Sequence, residues 1–336
     1  MQNAPLDHRH LRATDRLSPR ALDLAALLAT ALGHQVADTA RLAVAVSGGP
    51  DSLALLWLAA TTFPGRVAAL TVDHGLRAAA SAEAGGVATL CAGLDVPHKT
   101  LSWTGDKPQT NLQAAARAAR YALMGAWCVA NGTAMLLTAH HADDQAETLV
   151  MRLQRGSGSS GLAGIRAARP LMPGVTLVRP LLSVRRAELV ALVAAVGWTA
   201  VDDPSNNNLR YDRTAARAWL ARNEMFDVPR LAATATHLAA AETALDWAAA
   251  RAWAGNASVD GDRIMLDVAG LPDELVRRLV LRAILHFEPE KVPHGPAVAD
   301  LQHRLAAGGA GTLAGVKARG GEIWRFNRAA PRRKST

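Results

Sequence analysis

Between residues 41 and 138 short apolar runs alternate with longer segments of helical spacing, and few folds accommodate that alternation. Residues 41–46 (RLAVAV), 67–72 (VAALTV), 98–103 and 134–138 (AMLLT) read as strands. Residues 52–62, 81–94, 111–131 and 142–155 read as helices, the third stopped by Asn131-Gly132. Strands each followed by a helix imply βαβ units on a parallel sheet, an α/β architecture. Ligands of such sheets lie beyond the carboxyl ends of the strands, so the residues that follow each strand carry the most information.

The first strand runs into Ser47-Gly48-Gly49-Pro50-Asp51-Ser52. Glycines there let the backbone turn tightly and bring N–H groups close to a ligand, and the following helix adds its positive end, which makes an anion cradle. Neither G-x-x-x-x-G-K-[ST] nor G-x-G-x-x-G is present. Taken alone, the glycines also fit a tight turn with Ser or Asp as helix cap. Asp144 and Glu147 stand three apart on a helix and share a face. On that spacing alone they complement the helix dipole. Asp143 reads either as a magnesium ligand or as a charge at the helix start, and His140 and His141 either as nucleotide contacts and proton shuttles or as structural residues.

The positive balance, 37 Lys+Arg against 29 Asp+Glu, is almost all arginine, and residues 151–225 hold 11 Arg and no Lys against 5 acids. Arginine pairs bidentately with phosphate and stacks on bases, which points to a polyanionic partner, although the alanine-rich composition offers an alternative source for the excess. Arginines 152, 155, 166, 169, 179, 185 and 186, with the loop RGSGSSG, are either RNA-backbone contacts or a solvated face. Trp198, Tyr211 and Trp219 are stacking candidates by type, with core packing the plainer role. Two distant cysteines, Cys91 and Cys128, with no CxxC, argue against a disulfide framework or a zinc ribbon and for a reducing, cytoplasmic setting. No run reaches the roughly 18 apolar residues of a membrane span.

Residues 1–20 are too polar for a signal peptide and read as a flexible arm, 21–226 as the α/β domain, 227–330 as a smaller, mostly helical domain, and 331–336 as a frayed tail. Residues 180–198 read as one amphipathic helix, 201–213 as a polar loop, with another helix near Ala215.

SGGPDS resembles the loop of the N-type ATP pyrophosphatases, the PP-loop enzymes, and Thr71-Val72-Asp73-His74-Gly75 resembles their VDHGLR stretch. Further stretches narrow the likeness to the tRNA(Ile)-lysidine synthases: NLQAAARAARY at 111–121, TAHHADDQAET at 138–148, RGSG at 155–158 and DDPSNNNLRYDRTAAR at 202–217. One position departs, because Thr214 stands where the family usually carries Asn between Arg213 and Arg217. With about 110 residues after position 226, the chain resembles the family's shorter members.

The resemblance implies a Rossmann-like PP-loop domain followed by a domain that grips tRNA. It implies ATP and Mg2+ as cofactors, and L-lysine and a CAU-anticodon tRNA(Ile) as partners. Lysine would join C2 of the first anticodon cytidine through an adenylate, with release of pyrophosphate and AMP. Ser47, Gly48, Gly49, Pro50 and Ser52 would hold pyrophosphate, Asp51 would hold ATP with its magnesium, and Asp73 and His74 would lie near the nucleotide. Arg120 would stabilise charge on the α-phosphate or leaving pyrophosphate. Asp144 and Glu147 would take the lysine, and Arg155, Arg213 and Arg217 would contact lysine or tRNA. The same loop also serves tRNA 2-thiocytidine synthetases, which need clustered cysteines, and a nucleotide-binding module without chemistry is the alternative from another class.

Overall fold

The computed structural model describes residues 22–75, 80–105, 107–108, 110–201, 212–223 and 225–329. The arm at 1–20, the Leu76-Arg77 end of the second turn, the loop 202–211 with Tyr211, and the tail at 331–336 lie outside the described residues. The chain divides into two compact units, Met1–Ala239 and Ala240–Thr336. That division falls inside the long helix Val228–Asn256, beyond the boundary expected between 226 and 227. Among the described residues no helix is long and apolar enough to cross a membrane.

The first unit runs α1 (Leu24–Leu32), β1 (Leu42–Ala45), α2 (Pro50–Thr62), β2 (Val67–Asp73), α3 (Ala80–Gly93), β3 (His98–Ser102), α4 (Leu112–Ala130), β4 (Met135–Leu137), α5 (Ala142–Gln154), α6 (Ser159–Leu162), β5 (Ala168–Met172), β6 (Val175–Val178), α7 (Arg186–Ala195) and α8 (Asp212–Arg222). Its sheet has the order β3-β2-β1-β4-β6-β5, parallel except for the edge pair β5–β6. Strand β1 lies at the centre, with Leu42 beside Val67 on one side and Met135 on the other.

The period of two along each strand feeds two apolar layers. Leu42, Val44, Ala69, Leu137 and Val178 pack with Leu28 of α1, Leu55 of α2, Cys91 of α3 and Leu189 of α7. The alternate residues Ala43, Leu70, Leu136 and Leu177 pack with Met124 and Cys128 of α4. A parallel sheet covered by helices on both faces is the arrangement the alternating sequence calls for.

Three features differ from the sequence reading. The helix expected over 180–198 occupies only Arg186–Ala195. Pro180 disfavours helical backbone at Arg179, and the stretch before α7 turns instead, with Val184 N–H donating to the Leu181 carbonyl and both side chains buried. A hairpin, β5–β6, turns at Gly174 with φ +76 in a stretch where the sequence suggested only an arginine-rich surface. Helix α1 was not anticipated; Asp23 caps it by accepting the Ala26 N–H, and Gly33 ends it in the left-handed region.

Helix α9 (Val228–Asn256) leads into the second unit, with β7 (Ala257–Asp260), β8 (Arg263–Asp267), α10 (Asp273–Phe287), α11 (Gly295–Ala306), β9 (Ala310–Leu313), β10 (Val316–Arg319) and β11 (Ile323–Arg328). Strands β7 to β11 form an antiparallel sheet of order β7-β8-β11-β10-β9. Ile264, Leu266, Trp324 and Phe326 pack with Val280 and Ile284 of α10 and Leu301 of α11. Buried Glu242 accepts from Arg278, which also meets Asp246 and Glu274.

The tightest backbone approach in this unit is at Gly320, where a Cβ would lie 1.9 Å from the Leu305 carbonyl oxygen. Gly270 has φ +72 and open space around it. Gly320→Ala is therefore expected to destabilise the second unit by more than about 3 kcal/mol, and Gly270→Ala by only about 1–2 kcal/mol of backbone strain. Urea unfolding of the full chain checks this; equal effects contradict it.

Candidate active site

The loop after β1 is held by its own serines. Ser52 Oγ donates to the Gly49 carbonyl (3.0 Å) and accepts the Ser47 N–H (3.1 Å), with Ser47 Oγ 3.3 Å away. Gly48 has φ +83, which a side chain rarely adopts, and its carbonyl accepts the Val201 N–H (2.9 Å). Gly49 caps α2 without a side chain and Pro50 occupies the first turn, so the amides that open the helix stay available to an anion.

Asp51 follows in that first turn. Its Oδ2 lies 3.6 Å from His141 Nε2 and its Oδ1 3.7 Å from Arg186 Nε. Oδ1 is buried and, among the described residues, accepts no hydrogen bond. An anionic oxygen left so at the rim of an amide cradle suits a hard cation of the Mg2+ kind, which proteins hold with one or two carboxylates and the phosphates of a substrate.

Helix α5 starts directly after β4, with His141 as its cap. Asp144 N–H donates to His141 Nδ1 (3.3 Å) and His141 N–H to Asp144 Oδ2 (3.0 Å). Asp144 and Glu147 do share a face, and it is turned toward arginine. Arg213 of α8 donates from Nε to Glu147 (2.7 Å) and from Nη2 to Asp144 (2.6 Å), while Arg217 donates from Nε to the other Glu147 oxygen (2.7 Å). Glu147 is 1% exposed, so two guanidinium groups balance one buried charge; loss of one partner from such a pair is strongly destabilising. Both arginine contacts form with Thr214 between them. Asp143 turns to Arg185 and to the Arg186 N–H (2.8 Å).

A cavity of about 280 Å³ brings these segments together, lined among others by Ser47, Asp51, Arg120, His140, Asp144 and Arg213. Arg117 and Tyr121 of α4 also line it and were given no role by sequence reasoning, although both lie in the NLQAAARAARY stretch. The guanidinium groups of Arg117 and Arg169 lie over the Tyr121 ring, 5.2 and 5.5 Å from its centroid. Burial, and then the charges of Arg179, Arg117 and Arg213, hold His140 well below 6.5, as a neutral imidazole. Gly48, Pro50, Asp73, His74, Glu147, Arg155 and Arg217 are not among the lining residues. Glu147 and Arg217 meet each other, and Asp73 accepts the Gly75 N–H (2.7 Å) at the end of β2.

Several of the arginines read as either RNA contacts or a solvated face bond to backbone carbonyls instead. Arg152 donates to the carbonyls of Gly161 and Gly164, Arg166 to Ala239, and buried Arg179 to Arg166. They clamp the glycine-rich loop and the β6 end. Gln145 was also missed despite its place in TAHHADDQAET; it pairs with both backbone groups of Ile165 (2.6 and 2.9 Å). Trp198 packs against the core, whereas Trp219 is half-exposed beside Phe226.

The PP-loop domain family matches residues 22–224. The chain is 43% identical over 299 residues to the tRNA(Ile)-lysidine synthase of Zymomonas mobilis subsp. mobilis, covering 88% of this chain and 90% of that protein. It is 46% identical over 300 residues to the one from Novosphingobium aromaticivorans, covering 87% and 90%. The chain belongs to the tRNA(Ile)-lysidine synthase family. Among solved structures, the U34-tRNA thiolase NcsA of Methanococcus maripaludis, solved with its 4Fe-4S cluster, has a TM-score of 0.53 at 15% identity, covering 67% of this chain and 78% of that one. That likeness is one of fold; the PP-loop assignment of this lysidine-synthase family member comes from the domain match over 22–224.

His141 gives this site a pH signature. Burial opposes its charge, but the nearby carboxylates of Asp51, Asp144 and Asp143 outweigh it and raise the imidazole above 6.5. A raised histidine contributes stability fully below 6.5 and loses it as pH rises through the raised value. Urea unfolding against pH is expected to show that loss in the wild type and not in His141→Gln, whose amide still caps α5. An unchanged profile refutes the assignment.

Proposed function

We propose that this chain is a ligase that joins the ε-amine of L-lysine to C2 of the cytidine at the first anticodon position of a CAU-bearing tRNA(Ile). As a PP-loop protein it uses ATP. The observation that carries the reading is one cavity lined both by the backbone anion cradle and by Asp144 with its Arg213 partner.

The C2 oxygen of cytidine is a poor leaving group. Transfer of AMP to it breaks the bond between the α and β phosphates and releases pyrophosphate. Attack by the lysine amine then forms the C–N bond, and AMP leaves with the oxygen. Ser47, Gly48, Gly49, Pro50 and Ser52 receive the pyrophosphate portion, with Asp73 and His74 bordering the nucleotide at the end of β2. Asp51 is the residue to hold Mg2+, which would neutralise phosphate charge when bound. Arg120, a donor fixed in advance at the cavity wall, meets charge developing on the phosphates.

Asp144 and Glu147 take the lysine. A carboxylate beside the attacking amine would raise its pKa and keep it protonated, so one acid either holds the α-amino group or acts as base. Arg213, bonded to both acids, and Arg217, bonded to Glu147, orient them, and Arg155, in the basic stretch after α5, is assigned to the tRNA backbone. The second unit adds grip on the tRNA, and the whole acts in the cytoplasm. A thiolation role is disfavoured because burial pushes the Cys91 and Cys128 thiols up to about 11, which leaves no reactive thiolate.

The test mixes protein, ATP, Mg2+, labelled lysine and unmodified CAU-anticodon tRNA(Ile), and follows label in tRNA together with AMP. Asp51→Ala is expected to abolish labelling, Glu147→Ala to reduce it, and Arg120→Ala to slow it by about 10²–10³-fold. AMP without labelling would mean a different nucleophile, and no AMP would leave only a nucleotide-binding module.

A further inference from the structure

His74 stands at the end of β2 without lining the cavity, yet it touches the arginine that does. Arg120 Nη2 lies 3.1 Å and Nε 3.4 Å from His74 Nε2. A guanidinium cannot accept a hydrogen bond, so Nε2 carries no proton and accepts from both nitrogens, and the ring proton sits on Nδ1. Among the described residues Arg120 has no carboxylate partner and no other hydrogen-bond acceptor. The ring is braced by Trp103, whose plane meets it edge-on (centroids 6.0 Å, 87°). Lys107 lies over Trp103 and donates to the Gly75 carbonyl (3.0 Å), while Asp73 accepts the Gly75 N–H, so the turn that presents His74 is tied at both ends.

We propose that His74 is a positioning residue that aims Arg120 at the reacting phosphates. The choice of acceptor has a physical consequence. A carboxylate at that place would cancel much of the guanidinium charge, whereas a neutral imidazole orients the group and leaves its full charge for the anion. Protonated His74 would face Arg120 as a second cation at 3.1 Å and release it. The groups facing the ring, among the described residues, are Arg120 and Lys107, which oppose its protonation, and Asp73, which favours it. Burial is the largest cause, and together these hold His74 below 6.5, neutral at neutral pH.

The inference rests on the role proposed above for Arg120, and the tests separate the two. Lysine-independent, tRNA-dependent pyrophosphate release from ATP is measured across roughly pH 5–8, the range over which a histidine switches charge. His74→Gln, whose amide oxygen accepts from Arg120 but does not titrate, is expected to recover most of the kcat that His74→Ala loses and to lack the wild type's acid-side fall. His74→Ala is expected to lose about 10–100-fold in kcat with little change in the KM for ATP, the scale of a misplaced catalytic group. An acid limb identical in His74→Gln and wild type, or full activity in His74→Ala, overturns the proposal. If the wild type itself releases no pyrophosphate with tRNA, the ligase reading fails. The clamp is still decided then by side-chain nitrogen NMR of the full chain. His74 should show the Nδ1–H tautomer, and Arg120→Ala should raise its pKa; an unaltered titration refutes the clamp.

Discussion

Parallel pairing of β1 with β2 on one side and β4 on the other is the constraint on which the rest of the first unit depends. All three strands end at the same edge of the sheet, so the loops that follow them, Ser47–Ser52, His74–Gly75 and Thr138–His141, converge. The chain leaves β1 toward β2 and returns to β4 on the opposite side, which opens a crevice at the edge of the sheet. Helices α2 and α5 begin beside it, each with the amides and positive end of its first turn. An anion site at that place follows from backbone geometry before any side chain is considered.

The first unit holds its arginines in two ways. Some are bound to acids: Arg213 and Arg217 on Glu147, and Arg185 on Asp143. Others are held by neutral acceptors: Arg120 by an imidazole, Arg179 and Arg152 by backbone carbonyls. The first kind neutralises buried carboxylates and fixes helix against helix. The second keeps its charge. Arg120, of the second kind, and Arg213, of the first, line the same cavity.

Much of this was legible in the chain. The strands and helices between 41 and 138 came from apolar periodicity and Gly or Asn stops, which are local signals. The Ser47–Ser52 turn was legible because a tight strand-to-helix turn needs glycine and a helix start in fixed order. The helix over 180–198 was overextended because periodicity continues through Leu181 and Val184, which are buried by a turn rather than by a helix. The arginines at 152, 166 and 179 looked like a binding face because composition does not reveal which carbonyl a guanidinium will meet.

The sequence by itself determined the sheet, the anion cradle and the shared face of Asp144 and Glu147, because each depends on residues within a few positions of one another. Only the tertiary structure decided what those groups face. Arg213 reaches Glu147 across 66 positions and Asp144 across 69, and His74 meets Arg120 across 46. Such contacts are set by how helices dock on a sheet. That docking is driven by non-directional apolar burial, which leaves no local pattern at the polar residues it brings together.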